Sequence, residues 1–209
     1  ILALSMDEMR HPRLKKIVQT ITYAPNFIAV VVMCGMILNF TSQTGGLINN
    51  LIVKLGGEAI PFMYKENLFP HIYVWTGVWQ GMGWSSVIYF AALSGLNPQL
   101  LEAATLDGAS RVQKIWHVKL PTLLPTVIIQ LILSCGSILN VGYEKVFLLQ
   151  NDLNINTSEI ISTYVYKRGM VDAQYSFSTA VGLSQSIVSF VLVANVNIVA
   201  RRVSETSLW

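Results

Sequence analysis

Four long runs without a charged residue constrain this chain more than any other feature of its sequence. No Asp, Glu, Lys or Arg occurs in residues 17–53, 67–101, 120–143 or 173–200. Each run exceeds the ~20 residues that a helix needs to cross ~30 Å of hydrocarbon. Only 12% of all residues are charged, which is about half the ~25% that soluble domains carry. The sequence therefore predicts an all-α, polytopic helical membrane protein.

The basic residues orient four predicted spans, which we place at residues 17–40, 71–96, 120–143 and 176–200 of a single domain, 1–209. The basic residues at the predicted inner boundaries are Arg10, Arg13, Lys15, Lys16, Arg111, Lys114, Lys119, Arg201 and Arg202. By the positive-inside rule these boundaries face the cytoplasm. Pro25 predicts a kink in the first span, and a short helix is expected near 47–55 in the loop that follows. Because the chain begins with Ile1 rather than Met, we expect an N-terminally incomplete part of a longer protein.

Nothing in the sequence indicates catalysis. The three histidines lack metal-ligand spacing, and no nucleotide-binding or nucleophile motif is present. Cys34 and Cys135 lie inside apolar runs, where small buried hydrophobic residues are expected. The net charge of +3 is explained by membrane topology, so no nucleic-acid partner is expected. We predict no catalytic residue, no metal site and no cofactor in this chain.

The segment of residues 98–119 interrupts the apolar sequence between the second and third spans. It contains good helix formers after Pro98, then Gly108, then an amphipathic stretch that leads to Pro121. One interpretation is a solvated loop between helices. Paired small residues and a single glycine instead favour close docking against another protein, with the carboxylates of Glu102 and Asp107 available to a basic partner.

The same segment carries a resemblance to a known family. The EAA-loop pattern is Glu-Ala-Ala, three residues, Gly, nine residues, an aliphatic residue, any residue, Leu and Pro. It is present here as Glu102-Ala103-Ala104, Gly108 and Leu120-Pro121. The chain thereby resembles the permease subunits of binding-protein-dependent ABC importers. Further stretches resemble the LplB-like sugar permeases, the branch that includes permeases for alginate-type polysaccharides: "QTITYAPNF", "GWSSVIYFAALSGLNPQLLEAATLDGASR", "TYVYKRGM", "YSFSTAVGL" and the terminal "SLW".

The resemblance implies a type I ABC importer permease (MetI-like) core whose EAA loop forms a cytoplasmic coupling helix. In the family this helix sits in a cleft of an ATP-binding subunit. Glu102 would then pair with a basic group of the ATPase, and Gly108 would make the turn. The implied ATPase-coupling residues are Glu102, Ala103, Ala104, Asp107, Gly108, Ala109, Leu120 and Pro121.

The resemblance also implies a multi-pass subunit of the bacterial cytoplasmic (inner) membrane that imports a sugar, namely an oligosaccharide, by alternating access. Its implied partners are a second, homologous permease in a heterodimer, two ATP-binding cassette subunits, an extracytoplasmic solute-binding protein and membrane lipid. ATP and Mg would be bound by the partner ATPase, so this chain would be a transport subunit and not an enzyme.

Polar and aromatic side chains within the apolar runs are candidates for the substrate path, because sugar rings stack on aromatic faces while their hydroxyls need fixed hydrogen-bond partners. These candidates are Trp79, Gln80, Trp84, Asn140, Tyr143 and Glu144. The alternative is ordinary packing between helices. Lys145, Lys167 and Arg168 would suit an acidic sugar.

Two other classes of membrane protein are alternatives to an ABC importer. A secondary transporter driven by an ion gradient would need charged relays or broken helices within the membrane, and the apolar runs contain no acids or bases. A membrane-embedded enzyme would need converging nucleophiles or metal ligands, and the sequence shows no such group.

Overall fold

The computed structural model describes residues 1–203, and every regular element within them is helical, as the sequence predicts. The α-helices are α1 (Leu2–Asp7), α2 (Pro12–Tyr23), α3 (Val30–Thr41), α4 (Leu47–Lys54), α5 (Phe69–Ser94), α6 (Pro98–Leu106), α7 (Arg111–Lys114), α8 (Leu120–Gly136), α9 (Tyr143–Leu149), α10 (Ile155–Ser158), α11 (Ile161–Tyr166) and α12 (Tyr175–Val203). Short 3₁₀ turns cover Ala24–Phe27 and Phe62–Tyr64, and π-helical turns cover Ile115–Lys119 and Lys167–Val171. The terminal "SLW" lies outside the described residues.

Helix length and apolarity identify the stretches that can cross a membrane. Arg111–Gly136 and Tyr175–Arg202 each meet this requirement, and Pro12–Phe27 with Val30–Thr41 meets it as a pair. Helix α5 covers most of the predicted span 71–96 and is long enough, but its Trp, Gly, Ser and Gln residues make it less apolar. Residues 1–203 thus hold two such helices, or three if the pair is one span.

The predicted span 17–40 is not one continuous helix. Helix α2 ends at Tyr23, a 3₁₀ turn containing Pro25 follows, and α3 begins only after Ala29, whose ψ of 143° is extended. Proline has no backbone N–H and disrupts regular helical hydrogen bonding. The carbonyl oxygen of Ile28, at the break, accepts a hydrogen bond of 3.1 Å from the Gln80 side chain. A side-chain donor therefore satisfies backbone that the break leaves free.

The predicted span 120–143 also differs at both ends. The helical stretch begins earlier, at Arg111, and α8 ends at Gly136, so residues 137–142 are not helical. The Gln185 side chain donates a hydrogen bond of 2.7 Å to the carbonyl oxygen of Leu139 in this irregular segment. As at the first break, an amide side chain supplies the donor that a regular helix would have provided.

The chain divides into two compact units. The first unit contains residues 1–26, 81–138 and 188–203, and the second contains 27–80 and 139–187. Helices α5 and α12 each contribute residues to both units.

Close helix contacts at glycine characterise the first unit. A methyl group at Gly83 on α5 would overlap the backbone carbonyl of Thr22 on α2, and one at Gly136 on α8 would lie 2.7 Å from a methyl carbon of Val193 on α12. Small residues allow helix backbones to approach this closely in membrane proteins. The backbone contact leaves no room for a side chain at Gly83, and a side chain at Gly136 would require Val193 to shift.

An apolar cluster and a buried amide network form the core of the second unit. The buried members of the cluster are Met33, Cys34, Ile37, Met63, Phe69, Val146 and Leu149. Beside it, the fully buried Asn154 donates hydrogen bonds to the carbonyl oxygens of Met63 at 3.0 Å and Leu149 at 3.2 Å. These bonds tie the loops that precede α5 and follow α9 to each other.

Candidate coupling site and substrate path

Helix α6 forms the first part of the 98–119 segment. Pro98 occupies the first helical position, where its missing N–H has no intrahelical partner to lose. The side-chain oxygen of Asn97 accepts a hydrogen bond of 3.0 Å from the backbone N–H of Gln99 and caps the helix. No residue of α6 is buried. Within the described chain this helix thus presents nearly its whole surface to solvent.

The turn after α6 depends on Gly108, as the sequence predicts. Its φ is +76°, a left-handed value that glycine adopts without strain. The N–H of Ala109 donates to the carbonyl of Ala104 at 2.9 Å, and the N–H of Gly108 donates to that of Thr105 at 3.1 Å. This pair of bonds is a Schellman motif, which satisfies carbonyl groups at the helix end.

A capping box begins the next helix. The Ser110 side chain accepts from the backbone N–H of Gln113, and the Gln113 side chain accepts from the backbone N–H of Ser110 at 2.8 Å. Across the turn, Lys114 Nζ donates a hydrogen bond of 2.8 Å to Thr105 Oγ1. The two arms of the turn are thereby joined by a side-chain bond as well as by backbone.

The positions implied as ATPase contacts are mostly open to solvent. Exposed members are Glu102, Ala103, Asp107, Gly108 and Pro121, and half-buried members are Ala104, Ala109 and Leu120. Neither acid forms an ion pair within residues 1–203. The structure thus brings two free carboxylates and a small-residue surface together on one helix-turn unit, which suits docking to a basic cleft.

Sequence reasoning missed Leu106, which is 89% exposed at the last position of α6. Leu106 thus adds an apolar side chain to the exposed surface that carries Glu102 and Ala103. The signal was present in the sequence, because Leu106 follows Ala103 by three positions and so shares its side of the helix.

Sequence reasoning also missed a buried ionic cluster at the end of the 98–119 segment. Lys119 is only 7% exposed. Its Nζ forms an ion pair of 2.7 Å with Asp7 Oδ2 and a second, close ion pair with Glu8 Oε1. The one available signal was the acidic pair "DE" in a predicted cytoplasmic region that is otherwise basic.

The six substrate-path candidates do not form one site. Trp84 belongs to the first unit, where it is 54% exposed and lines a cavity with Gln130 and Ser134. The other five candidates belong to the second unit. Of these, Gln80 donates a hydrogen bond to the Ile28 carbonyl at the break before α3, and Trp79 is 44% exposed on α5.

Tyr143 is the candidate with the most developed surroundings. Its ring centroid lies 5.6 Å from that of Phe147 and 5.2 Å from that of Tyr166, so the three rings form an aromatic cluster. Tyr143 also lines a cavity of about 370 Å³ in the second unit, together with Tyr166, Ser162 and Ser178. The Ser178 hydroxyl donates a hydrogen bond of 3.0 Å to the Val165 carbonyl, so the aromatic faces are the feature of this cavity that suits a sugar ring.

The adjacent residues Glu144 and Lys145 have opposite environments. Glu144 and the neighbouring Asn140 are exposed, whereas Lys145 is buried at 8% exposure. Lys145 Nζ donates a hydrogen bond of 3.0 Å to the carbonyl oxygen of Tyr73 and lies 4.8 Å from the centre of its ring. The structure thus gives Lys145 a packing role within the second unit.

Comparisons with known proteins fit this architecture. The chain is 40% identical over its whole length to the polygalacturonan/rhamnogalacturonan transport system permease protein YteP of Bacillus subtilis (strain 168), and 37% identical to protein LplB of the same strain. It spans 65% and 66% of these relatives, slightly less than two thirds of their length. Several relatives are named as permease proteins of transport systems.

A solved structure is similar to nearly the entire fold. It is described as a bacterial alginate ABC transporter in complex with an alginate pentasaccharide-bound periplasmic protein, and one of its chains matches with a TM-score of 0.96 and 36% identity. The match covers 99% of this chain and 72% of the other. The predicted MetI-like permease fold and the resemblance to sugar permeases are thereby confirmed.

The sequence pattern of one family extends over residues 1–205, nearly the whole chain. Together with apolar helices that can cross a membrane, this agrees with the predicted location. The chain belongs to the family of binding-protein-dependent transport system inner membrane components.

Proposed function

We propose that this chain is a membrane-spanning subunit of an ATP-driven importer of oligosaccharides, in which the 98–119 segment couples the membrane helices to an ATPase subunit. The observation that carries this proposal is the exposed helix-turn unit of α6 and Gly108. It combines unpaired carboxylates, small residues and the exposed Leu106 in a chain of this family.

Coupling requires that the docked segment transmit movement and not merely bind. The Schellman turn and the Lys114–Thr105 hydrogen bond give the segment one defined shape. Beyond Lys114 the helical stretch continues through the π-helical turn Ile115–Lys119 into α8 without a gap. Closure of the ATPase would therefore displace α8 directly. The ATP and Mg chemistry takes place in the partner.

The assembly we propose contains a second, homologous permease, two ATPase subunits and an extracytoplasmic binding protein. The alginate transporter similar to this chain is described in complex with a periplasmic protein. Docking of the loaded binding protein outside and ATP binding inside would bias the same alternating-access equilibrium, each through its different affinity for the two states.

An acidic oligosaccharide is the substrate class that the relatives support best. Their names refer to polygalacturonan, rhamnogalacturonan and alginate. The proposed substrate-path residues remain Trp79, Gln80, Trp84, Asn140, Tyr143 and Glu144. Among them, Tyr143 lines a cavity and has aromatic neighbours, which suits stacking of a sugar ring. A secondary transporter is not favoured, because the four charge-free runs hold no ionisable relay of acids and bases.

The test is ATP hydrolysis and sugar uptake by the full complex in liposomes with its binding protein. We expect Glu102→Ala and Gly108→Val to abolish sugar-stimulated hydrolysis while the permease stays folded. Valine is unfavourable at the left-handed φ of +76°, although a side chain there would meet no atom within 4 Å.

The second unit supplies matched controls. Gly56 has a φ of +88° and equally open surroundings, so Gly56→Val imposes the same local strain. Glu58 is exposed, as Glu102 is. Gly56→Val and Glu58→Ala should leave ATPase docking intact. Unchanged hydrolysis and uptake in the Glu102 and Gly108 variants would show that the 98–119 segment is only a linker.

A further inference from the structure

Lys119 occupies the junction between the 98–119 segment and α8. It is the last residue of the π-helical turn Ile115–Lys119, and α8 begins at the next residue. The N–H of Leu120 donates to the carbonyl of Ile115, five residues back. Pro121, which has no N–H, follows immediately. Lys119 therefore lies within the continuous helical stretch Arg111–Gly136, at the point where the 98–119 segment passes into α8.

The side chain of Lys119 is buried against two carboxylates of a different part of the chain. Asp7 and Glu8 are separated from it by more than a hundred residues, and both pair with its Nζ. Their side chains are 25% and 30% exposed, against 9% for the lysine side chain. A buried ammonium is tolerated only where it is paired and hydrogen-bonded. The two carboxylates meet this requirement and bind α1 to the junction.

Apolar contacts hold the other end of α1. Ala3 packs in a buried cluster with Leu93 of α5 and Leu123 of α8, and Met6 is fully buried. Helix α1 is thus held at two points, by apolar packing on Leu123 of α8 and by ion pairs to Lys119 at the junction. Two separated contacts restrain α1 against rotation about either one.

We propose that the Asp7–Glu8–Lys119 cluster positions α1 for transport, so that α1 follows the base of α8 when the ATPase displaces the 98–119 segment. This inference rests on the proposed function. In this proposal Asp7, Glu8 and Lys119 are positioning residues, because they act through the junction with α8 and not by binding nucleotide or sugar. Without the cluster the ATPase would still close on the segment, while α1 would no longer follow it.

The experiment compares sugar uptake and ATP hydrolysis in the full complex, reconstituted with its binding protein, for three variants of the full-length subunit. Lys119→Met removes the ammonium and leaves two carboxylates unpaired. The triple variant Asp7→Asn, Glu8→Gln, Lys119→Met removes all three charges together, which avoids an unpaired buried charge. Lys119→Arg keeps the positive charge.

The readout is the number of sugars imported per ATP hydrolysed, measured on complexes of equal thermal stability. We expect Lys119→Met and the triple variant to lower this ratio by at least about fivefold, the lower end of usual coupling effects. The ratio for Lys119→Arg should stay close to that of the wild type. A change in stability alone would lower both rates and leave their ratio unchanged.

Two results would overturn the inference about the cluster, and a third would overturn the proposed function on which it rests. An unchanged ratio in assembled Lys119→Met or triple-variant complexes would overturn the inference and leave the proposed function intact. Failure of both variants to assemble would assign the cluster to folding and overturn it too. If the wild-type complex itself shows no sugar-stimulated hydrolysis, the proposed function is overturned, whatever the variants show.

Discussion

Leu106 provides the sharpest test of the coupling surface. Its side chain is 89% exposed, so Leu106→Ala removes almost no contact within this chain, and the free energy of unfolding should change by less than about 0.5 kcal/mol. If docking buries the side chain, the variant loses roughly 2 kcal/mol of apolar burial. That loss corresponds to about a 30-fold increase in the Kd for the ATPase subunit.

The assay is the binding of purified ATPase to the permease in detergent or nanodiscs, together with the thermal unfolding of the permease alone. Leu55 is a matched control, because it is 80% exposed at the end of α4, on the predicted outer side. Leu55→Ala should leave the Kd unchanged. The reasoning is refuted if Leu106→Ala binds the ATPase as tightly as wild type, or if its Tm falls well below that of Leu55→Ala.

Two predictions concern packing within the units. A methyl group at Gly83 would overlap the Thr22 carbonyl, and because the obstacle is backbone, Gly83→Ala should lower the free energy of unfolding by about 1–3 kcal/mol. Gly81 has open space on the same helix, so the control Gly81→Ala should not lower the Tm. Equal Tm values for the two variants would contradict the α2–α5 contact. Asn154→Ala should lower the free energy of unfolding by roughly 1–3 kcal/mol, because it leaves the Met63 carbonyl with one donor fewer in a buried site. An unchanged midpoint of urea unfolding would show that the Asn154 hydrogen bonds contribute nothing to stability.

Local sequence patterns predicted much of the structure. The short helix α6, the glycine turn and the helical stretch that follows were predictable, because helix formers and Gly108 act on residues within a few positions of themselves. The short helix α4, expected near 47–55, is present at Leu47–Lys54. The all-helical architecture could be predicted from the charge-free runs alone, because an apolar segment long enough to cross a membrane must form a helix to satisfy its backbone, whatever its individual side chains.

Features that depend on distant contacts were not predictable in this way. Pro25 predicts the kink in the first span, and the break lies there, but the sequence gives no sign that Gln80 supplies the donor that satisfies the Ile28 carbonyl. The pairing of Lys119 with Asp7 joins residues 112 positions apart. No periodic pattern relates such residues, so the sequence assigned Lys119 to membrane topology and gave Asp7 no role.

The way α6 is stabilised has a consequence for docking. Helices shorter than ~12–15 residues are marginal in water, and α6 has nine residues, none of them buried. Its order therefore comes from its ends, through the Asn97 cap, the Gly108 turn and the Lys114–Thr105 bond. None of these contacts uses the exposed surface around Glu102 and Leu106. A segment that is ordered before it docks loses less conformational entropy on binding, so more of the docking free energy is available to move α8.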